Sequence, residues 1–240
     1  MRIFLAGAGG VIGSRLIPRL VRAGHVVTGS TRSERTAAVL KAAGVEPSIV
    51  DVYDRKALRQ AVALSRPEVV IHQLTDLPKA RPDSASMAEA LVRNARLRKE
   101  GTENLVEAAC EACARRLIAQ SIAWCYAPGP EPHDEGDPLE LGAEGLRRIT
   151  MDGVVALERL VLSSKSLEGL VLRYGQLYGP GTWNAEPTGS SPVHVEASAD
   201  AVALAVTRGT AGIYNIVDDG SAASNAKARR TLGWTPHTTR

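Results

Sequence analysis

The chain has 240 residues, of which 44% are hydrophobic and 23% are charged, with a formal net charge of +3. This length predicts one mid-sized core with an appended lobe, and the composition excludes a disordered chain, a coiled coil and a short disulfide scaffold. Basic and acidic residues nearly balance, with no basic block, so we expect no nucleic-acid partner. No apolar run is long enough to span a membrane, and three cysteines are too few for a disulfide framework. We therefore expect a cytoplasmic protein without a membrane anchor.

Short apolar runs alternate with longer helical patterns over the first 175 residues. This alternation is typical of βαβ units and predicts an α/β fold, a doubly wound parallel sheet of the Rossmann type. The predicted strands are Arg2–Ala6, His25–Ser30, Val45–Val50, Val69–Leu74, Arg116–Ser121 and Gly169–Arg173. The predicted helices are Val11–Arg22, Ser33–Ala43, Arg55–Leu64, Ser84–Ala114 and Leu146–Ser163.

The composition changes after Arg173 to loops rich in Gly, Pro and Ser. Further along, the pattern predicts a short helix near Asp200–Val206, a strand near Gly212–Val217 and a last helix near Ser224–Leu232. We expect residues 1–175 to form a dinucleotide-binding core. Residues 176–240 are expected to form a small substrate lobe that is interleaved with this core and is not an independent domain.

Three glycines follow the first strand and precede the first helix. Gly7, Gly10 and Gly13 recur at a spacing of three residues. Glycine allows the tight turn and the close approach of a pyrophosphate to the helix N-terminus, where free N–H groups favour negative charge. The sequence therefore predicts a dinucleotide cofactor bound by this loop, comprising Gly7, Ala8, Gly10, Val11, Ile12 and Gly13.

The end of the second predicted strand bears on the choice of cofactor. Thr31 and Arg32 stand there, and no carboxylate is present to accept the ribose hydroxyls of NAD. A guanidinium offers planar donors to a 2′-phosphate. The residues therefore favour NADP over NAD, with NAD still possible.

Several further motifs occur in a characteristic order: Asp51-Val52, Val70-Ile71-His72-Gln73, Glu100-Gly101-Thr102-x-Asn104-Leu105 and Leu172-Arg173-Tyr174-Gly175 followed by Tyr178-Gly179-Pro180-Gly181. With the glycine loop, they resemble the extended short-chain dehydrogenases/reductases of the NAD-dependent epimerase/dehydratase type. The resemblance implies that Asp51 and Val52 hold the adenine, that Gln73 and Tyr174 belong to the cofactor site, and that the protein is a homodimer. Relative to that family, the C-terminal lobe is shortened between Trp183 and Pro192 and between Asp219 and Ser224.

The resemblance does not extend to the catalytic residues of the family. The family uses a Tyr-x-x-x-Lys pair, in which the lysine lowers the pKa of the tyrosine for proton exchange. Alignment on Glu158 places Thr150 and Val154 at these positions, and neither residue can substitute. We take Ser121 and Tyr126 as the candidate catalytic residues, with Tyr174, Tyr178, and His133 with Asp134 as weaker proton donors.

Two functional hypotheses remain open. The first is an NADP-binding oxidoreductase or epimerase-like enzyme that acts on a small hydroxyl- or carbonyl-bearing metabolite with a non-standard catalytic site. The second is a redox-silent cofactor-binding protein, or a non-redox isomerase, cyclase or dehydratase on the same scaffold. The five histidines show no metal-site spacing, so no metal is expected.

Overall fold

A seven-stranded parallel sheet forms the centre of the molecule, as seen in a computed structural model that describes residues 1–78 and 80–236. Its strand order is β3-β2-β1-β4-β5-β6-β9, so the order reverses between β1 and β4 as in doubly wound folds. The predicted fold class is confirmed. The strands are β1 (Arg2–Ala6), β2 (Val26–Thr31), β3 (Glu46–Ile49), β4 (Val69–His72), β5 (Arg116–Ile122), β6 (Glu168–Tyr174), β7 (Gln176–Tyr178), β8 (Pro192–His194) and β9 (Gly212–Ile216).

Helices cover both faces of the sheet. One apolar core lies between the sheet and α1, α7 and α8, and a second lies between the opposite face and α3, α5 and α6. No helix in the described ranges is long and apolar enough to cross a membrane. The helices are α1 (Val11–Arg22), α2 (Glu34–Ala42), α3 (Arg55–Ser65), α4 (Ser84–Arg96), α5 (Thr102–Glu111), α6 (Gly145–Ser163), α7 (Val195–Ala205) and α8 (Ala226–Leu232).

The long helix predicted for Ser84–Ala114 is three segments. A π-helical turn, Leu97–Gly101, separates α4 from α5. A Cβ on Gly101 would lie 2.8 Å from Leu97 Cδ1 and 3.2 Å from Val52 Cγ1, so the turn packs closely only because this residue is glycine. The apolar periodicity continues through the turn, which is why the sequence pattern did not show the interruption.

The C-terminal segment departs most from the sequence prediction. β7 and β8 form a separate two-stranded parallel pair in the region expected to be loop. α7 begins at Val195, five residues before the predicted start, because the His194 side chain accepts a hydrogen bond from Glu196 N at 3.3 Å and caps the helix. β9 pairs with β6, so this segment returns to the main sheet. Residues 237–240 of the predicted lobe lie outside the described residues.

Ion pairs join the first helix to α7. Arg15 Nε lies 2.9 Å from Glu196 Oε1, and Arg19 Nε lies 2.6 Å from Asp200 Oδ1. The partners are 181 residues apart in the chain. The helix that follows the glycine loop is therefore fixed by the C-terminal third of the molecule.

Candidate active site

The loop between β1 and α1 has the geometry that a pyrophosphate requires. Gly7 has a φ of +88°, and a Cβ there would lie 2.6 Å from the backbone carbon and oxygen of Gln73. A Cβ on Gly13 would lie 2.2 Å from the carbonyl oxygen of Gly7. Only glycine fits at these two positions, and the first turn of α1 is left with N–H groups that have no acceptor within the helix. The loop thus fits the dinucleotide that the sequence predicted.

A second loop closes over the start of α1. The Arg15 guanidinium donates to the carbonyl of Pro180, and Gly181 packs beside Arg15 and Val11. Trp183 Nε1 donates to the carbonyl of Pro78 at 3.0 Å, which ties the loop to the segment after β4. The segment between β7 and β8 therefore covers the cleft at the carboxyl ends of β1 and β4.

The carboxyl ends of β2 and β3 form the far end of the cleft. Arg32 is 68% exposed, and its guanidinium lies 3.9 Å from the carboxylate of Asp51. The Asp51 carboxylate accepts from Tyr53 N at 2.9 Å, and the carbonyl of Val52 accepts from Asn104 Nδ2 at 3.0 Å. Thr31 Oγ1 accepts from Ser33 N at 3.1 Å. The residues predicted to hold the adenosine half of the cofactor are thus brought together.

Gln73 and Tyr174 form a buried polar pair across the carboxyl ends of β4 and β6. Gln73 Nε2 donates to the Tyr174 hydroxyl at 3.3 Å, and Gln73 Oε1 is buried with no partner among the described residues. Burial raises the pKa of the Tyr174 phenol. A free, buried amide oxygen is an acceptor that a bound ligand can satisfy.

The two residues at the family's Tyr and Lys positions lie on the inner face of α6. Thr150 is 8% exposed, and its hydroxyl donates to the carbonyl of Leu146 at 3.0 Å within its own helix. Val154 is fully buried in the apolar cluster beside Ile122 and Met151. Neither side chain presents an acid, a base or a charge to the cleft.

Ser121 belongs to a buried ion-pair network. Its hydroxyl donates to Glu158 Oε1 at 2.7 Å, and Arg173 donates to both oxygens of the same carboxylate, at 2.9 and 2.7 Å. Arg173 and Glu158 thus form two parallel hydrogen bonds. A buried ion pair needs such a contact to offset the loss of hydration of its two charges. Alignment of β5 with the family without a gap puts the next residue, Ile122, at the position of the catalytic hydroxyl, and the Ile122 side chain is also buried.

The Tyr126 hydroxyl both donates and accepts a hydrogen bond within the protein. The hydroxyl donates to Asn215 Oδ1 at 2.7 Å and accepts from Arg173 Nη1 at 2.9 Å. Burial raises the pKa of this phenol to about 12. His133 stacks on the Tyr126 ring at 4.9 Å and contacts the Asp137 carboxylate through Nδ1 at 3.1 Å. The catalytic role of Ser121 and Tyr126 stays a prediction.

Two further candidate donors are Tyr178 and Asp134. The Tyr178 hydroxyl donates to Asp218 Oδ2 at 2.8 Å, and burial is the first cause that raises its pKa to about 12. The Asp134 backbone amide donates to the Asp137 carboxylate at 3.2 Å. In residues 1–78 and 80–236, no group of His, Cys, Asp and Glu side chains is placed to hold a metal ion.

Arg98 is a charged residue of this region that the sequence analysis did not single out. It lies in the π-helical turn, which packs against α6, and it is partly buried. Burial lowers its pKa to about 10, and the charge of Glu158 acts in the opposite direction. The sequence feature that could have indicated Arg98 is a charged residue within the apolar pattern of the predicted helix Ser84–Ala114.

Comparisons with known proteins agree with this geometry. Residues 3–204 match the NAD dependent epimerase/dehydratase family. The chain belongs to this family. It is therefore an oxidoreductase-type enzyme with a nicotinamide dinucleotide cofactor, as the resemblance implied.

Two relatives among characterised proteins span most of the chain. A 3-diazoavenalumate denitrifying reductase from a Streptomyces species is 41% identical, over 99% of this chain and 80% of the relative. A dTDP-4-dehydrorhamnose reductase from Streptomyces griseus is 27% identical, over 96% of this chain and 75% of the relative. Both names describe reductases.

Among solved structures, the UDP-glucose 4-epimerase of Thermotoga maritima is similar with a TM-score of 0.80 at 18% identity, over 100% of this chain and 94% of that one. MoeE5 in complex with UDP-glucuronic acid and NAD has a TM-score of 0.74 at 21% identity, over 100% of this chain and 95% of that one. These likenesses show the fold.

Proposed function

We propose that this protein is an NADP-dependent reductase that replaces a diazonium group of its substrate by hydrogen. The observation that carries the proposal is the presence of Thr150 and Val154 at the family's acid–base positions, in a chain that is 41% identical to a denitrifying reductase of a diazo compound. The first hypothesis from the sequence, an oxidoreductase with a non-standard site, is thereby given a specific reaction.

The proposed reaction needs no proton transfer from the protein. A reduced nicotinamide supplies a hydride when it is bound. The diazonium carbon gains this hydride as a new C–H bond, and the electron pair of the broken C–N bond leaves with N₂. No oxyanion develops and no proton enters or leaves, so the tyrosine and lysine that serve carbonyl chemistry have no task.

The side chains around the cleft also suit an electrophilic substrate. Diazonium ions couple with phenolates and free amines, so an exposed tyrosinate or lysine at the reactive centre would be consumed. Val154 offers no amine, and the phenols of Tyr126 and Tyr174 are hydrogen-bonded with raised pKa values, which keeps them protonated at neutral pH. Among the described residues named here, none presents a free amine or a phenolate that would compete with the hydride.

Isotope transfer tests the reaction directly. The protein is incubated with 4-carboxybenzenediazonium and NADPH carrying deuterium at C4 of the nicotinamide, in separate reactions for the two faces. We expect benzoate with one deuterium at the carbon that carried nitrogen, from one face only. A protein-free reaction measures the chemical background. Benzoate that takes its hydrogen from solvent, or from both faces equally, would contradict the proposal.

Carbonyl reduction is the alternative activity. It is favoured by the names of two relatives with lower sequence identity, a ketoreductase and a dehydrorhamnose reductase. 4-Carboxybenzaldehyde has the same shape and carboxylate as the diazonium probe, but its reduction needs a proton for the alkoxide. We expect little NADPH oxidation with the aldehyde. Ser121→Ala and Tyr126→Phe separate the cases further, since aldehyde reduction through either hydroxyl falls about 100-fold or more without it, whereas hydride transfer to the diazonium persists.

We also propose that NADP is preferred over NAD, because Arg32 is exposed and only loosely paired with Asp51. Arg32→Ala is expected to raise the Kd for NADPH by about tenfold or more, through loss of a charge-assisted contact with the 2′-phosphate, and to leave the Kd for NADH nearly unchanged. Nicotinamide fluorescence measures both constants. Arg22→Ala, at the exposed end of α1, is the matched control, and equal losses for both cofactors in Arg32→Ala would refute the assignment.

A homodimer remains our proposal for the assembly. The family resemblance places the contact on α4 and α6, where Val92, Leu146 and Leu162 are exposed. Light scattering coupled to gel filtration tests it, and a monomeric mass would contradict it. The three cysteines are free thiols, which suits the reducing cytoplasm expected from the sequence.

A further inference from the structure

The buried charges at the carboxyl ends of β4, β5 and β6 do not balance. Glu158 carries one negative charge and is already paired with Arg173 through two hydrogen bonds. His72 is buried with its pKa lowered to about 4, and the pKa of the Cys125 thiol is raised to about 11, so both are neutral near pH 7. The charge of Arg98 is therefore left over.

The guanidinium of Arg98 also lacks a hydrogen-bonding partner. Across residues 1–78 and 80–236, neither a side chain nor a backbone carbonyl forms a hydrogen bond or an ion pair with it. A guanidinium has five N–H donors in a planar fork, and on the partly buried Arg98 these donors are available to a ligand. Residues of this kind persist at positions where a ligand supplies the partner.

The position of Arg98 indicates which ligand this is. The π-helical turn packs on α6, and Arg98 interacts electrostatically with Glu158 on α6 and with His72 at the end of β4. Ligands of doubly wound folds bind outside the carboxyl ends of the strands, where β4 and β5 end. The pyrophosphate loop follows β1 and the 2′-phosphate residue follows β2, so the phosphates of the cofactor are assigned to other strands.

We propose that Arg98 binds a carboxylate of the substrate. A carboxylate accepts two parallel hydrogen bonds from a guanidinium and supplies the negative charge that the cluster lacks. This inference rests on the proposed function, to which it adds the substrate class: a carboxylic acid whose anionic end is anchored at the π-helical turn. The substrate name of the denitrifying relative likewise denotes a carboxylate.

Binding without turnover tests the inference. Calorimetry measures the affinity of cinnamate and of cinnamamide for the protein saturated with NADP⁺, because the two probes have the same shape but carry a charged carboxylate and a neutral amide, respectively. We expect the wild type to prefer cinnamate by about 10- to 100-fold, the range of charge-assisted hydrogen bonds. Arg98→Gln is expected to abolish this preference, and Arg98→Lys to restore part of it because the charge returns without the planar fork.

Lys99→Gln is the matched control, since Lys99 is the exposed neighbour in the same turn and the substitution removes the same charge. It should keep the full preference for cinnamate. Fluorescence titration with NADPH checks that each variant retains the cofactor site. A wild type that binds both probes equally or binds neither, or an Arg98→Gln variant that keeps the preference, would overturn the inference. Failure of the diazonium reaction alone would refute the proposed chemistry and leave the carboxylate preference standing.

Discussion

Ionisable residues beneath the cleft are hydrogen-bonded to one another. The Arg173 guanidinium on β6 donates to the carboxylate of Glu158 on α6 and to the hydroxyl of Tyr126 in the segment after β5. Removing either charge of such a pair costs more than the pair itself contributes, because the other is left buried. The hydrogen bonds therefore fix the relative positions of these three side chains.

His72 gives the protein a pH dependence with a defined sign. Its Nε2 lies 3.0 Å from Thr102 Oγ1, and desolvation lowers its pKa from 6.5 to about 4. Between these values the unfolded chain binds a proton that the native protein does not, so the free energy of unfolding falls as the pH falls. This one residue accounts for a loss of about 3 kcal/mol across that interval.

Urea denaturation of the wild type and of His72→Gln at several pH values between 7 and 4 measures the effect. The two curves of stability against pH should converge as the pH falls, because glutamine has no proton to gain. Parallel curves would show that His72 is protonated in the native state at its ordinary pKa.

At the residue scale, the sequence predicted the geometry of the glycine loop better than the surroundings of the candidate catalytic residues. Gly7, Gly13 and Arg32 belong to local motifs whose geometry follows from neighbouring residues. The partners of Tyr126 and Ser121 lie 89 and 37 residues away in the chain, so no local pattern predicts them. Arg98 was missed because its environment is made by α6 and β4.

Among the elements, α4 and α6 pack against each other beside the π-helical turn. The helices approach closely where Gly153 faces Ala95, and a Cβ on Gly153 would lie 3.0 Å from Ala95 Cα. The sequence predicted α6 to within one residue and the start of α4, but it did not predict the end of α4 at Arg96. It did not predict their closest contact, because a glycine in a helix is ambiguous until its neighbour is known.

Gly153→Val tests this contact. The added side chain has to push α4 away, and we expect the free energy of unfolding to fall by about 1–3 kcal/mol, the usual cost of overpacking. Ser163→Val, at an exposed position of the same helix, controls for the low helix propensity of valine. Thermal and urea denaturation of both variants measures the difference, and equal stabilities would show that the two helices are not in tight contact.

For the whole molecule, residues 1–175 do not contain all the structure that the cleft requires. β9 completes the edge of the sheet beside β6, and α7 packs on α1 through Arg15 and Arg19. The sequence predicted the parallel sheet because every unit of it is a local βαβ pattern. It did not predict which later segment covers α1, since that contact joins the two ends of the chain.

A chain ending at residue 175 is accordingly expected not to bind NADPH. Its α1 would lose the ion pairs with α7 together with a large part of the apolar core on that face of the sheet. Nicotinamide fluorescence and near-ultraviolet circular dichroism check cofactor binding and fixed packing. A fragment that binds NADPH with the affinity of the full chain would show that the core is autonomous.

The ion pairs between α1 and α7 also have a consequence for how the protein is made. Glu196 leaves the ribosome 181 residues after Arg15, which at about 5–20 residues per second is a delay of roughly 10–35 s. During that time the glycine loop is exposed on a helix whose docking partner has not been synthesised. We therefore expect the nicotinamide cofactor to bind late in synthesis and to stabilise a destabilised variant only after translation has nearly ended.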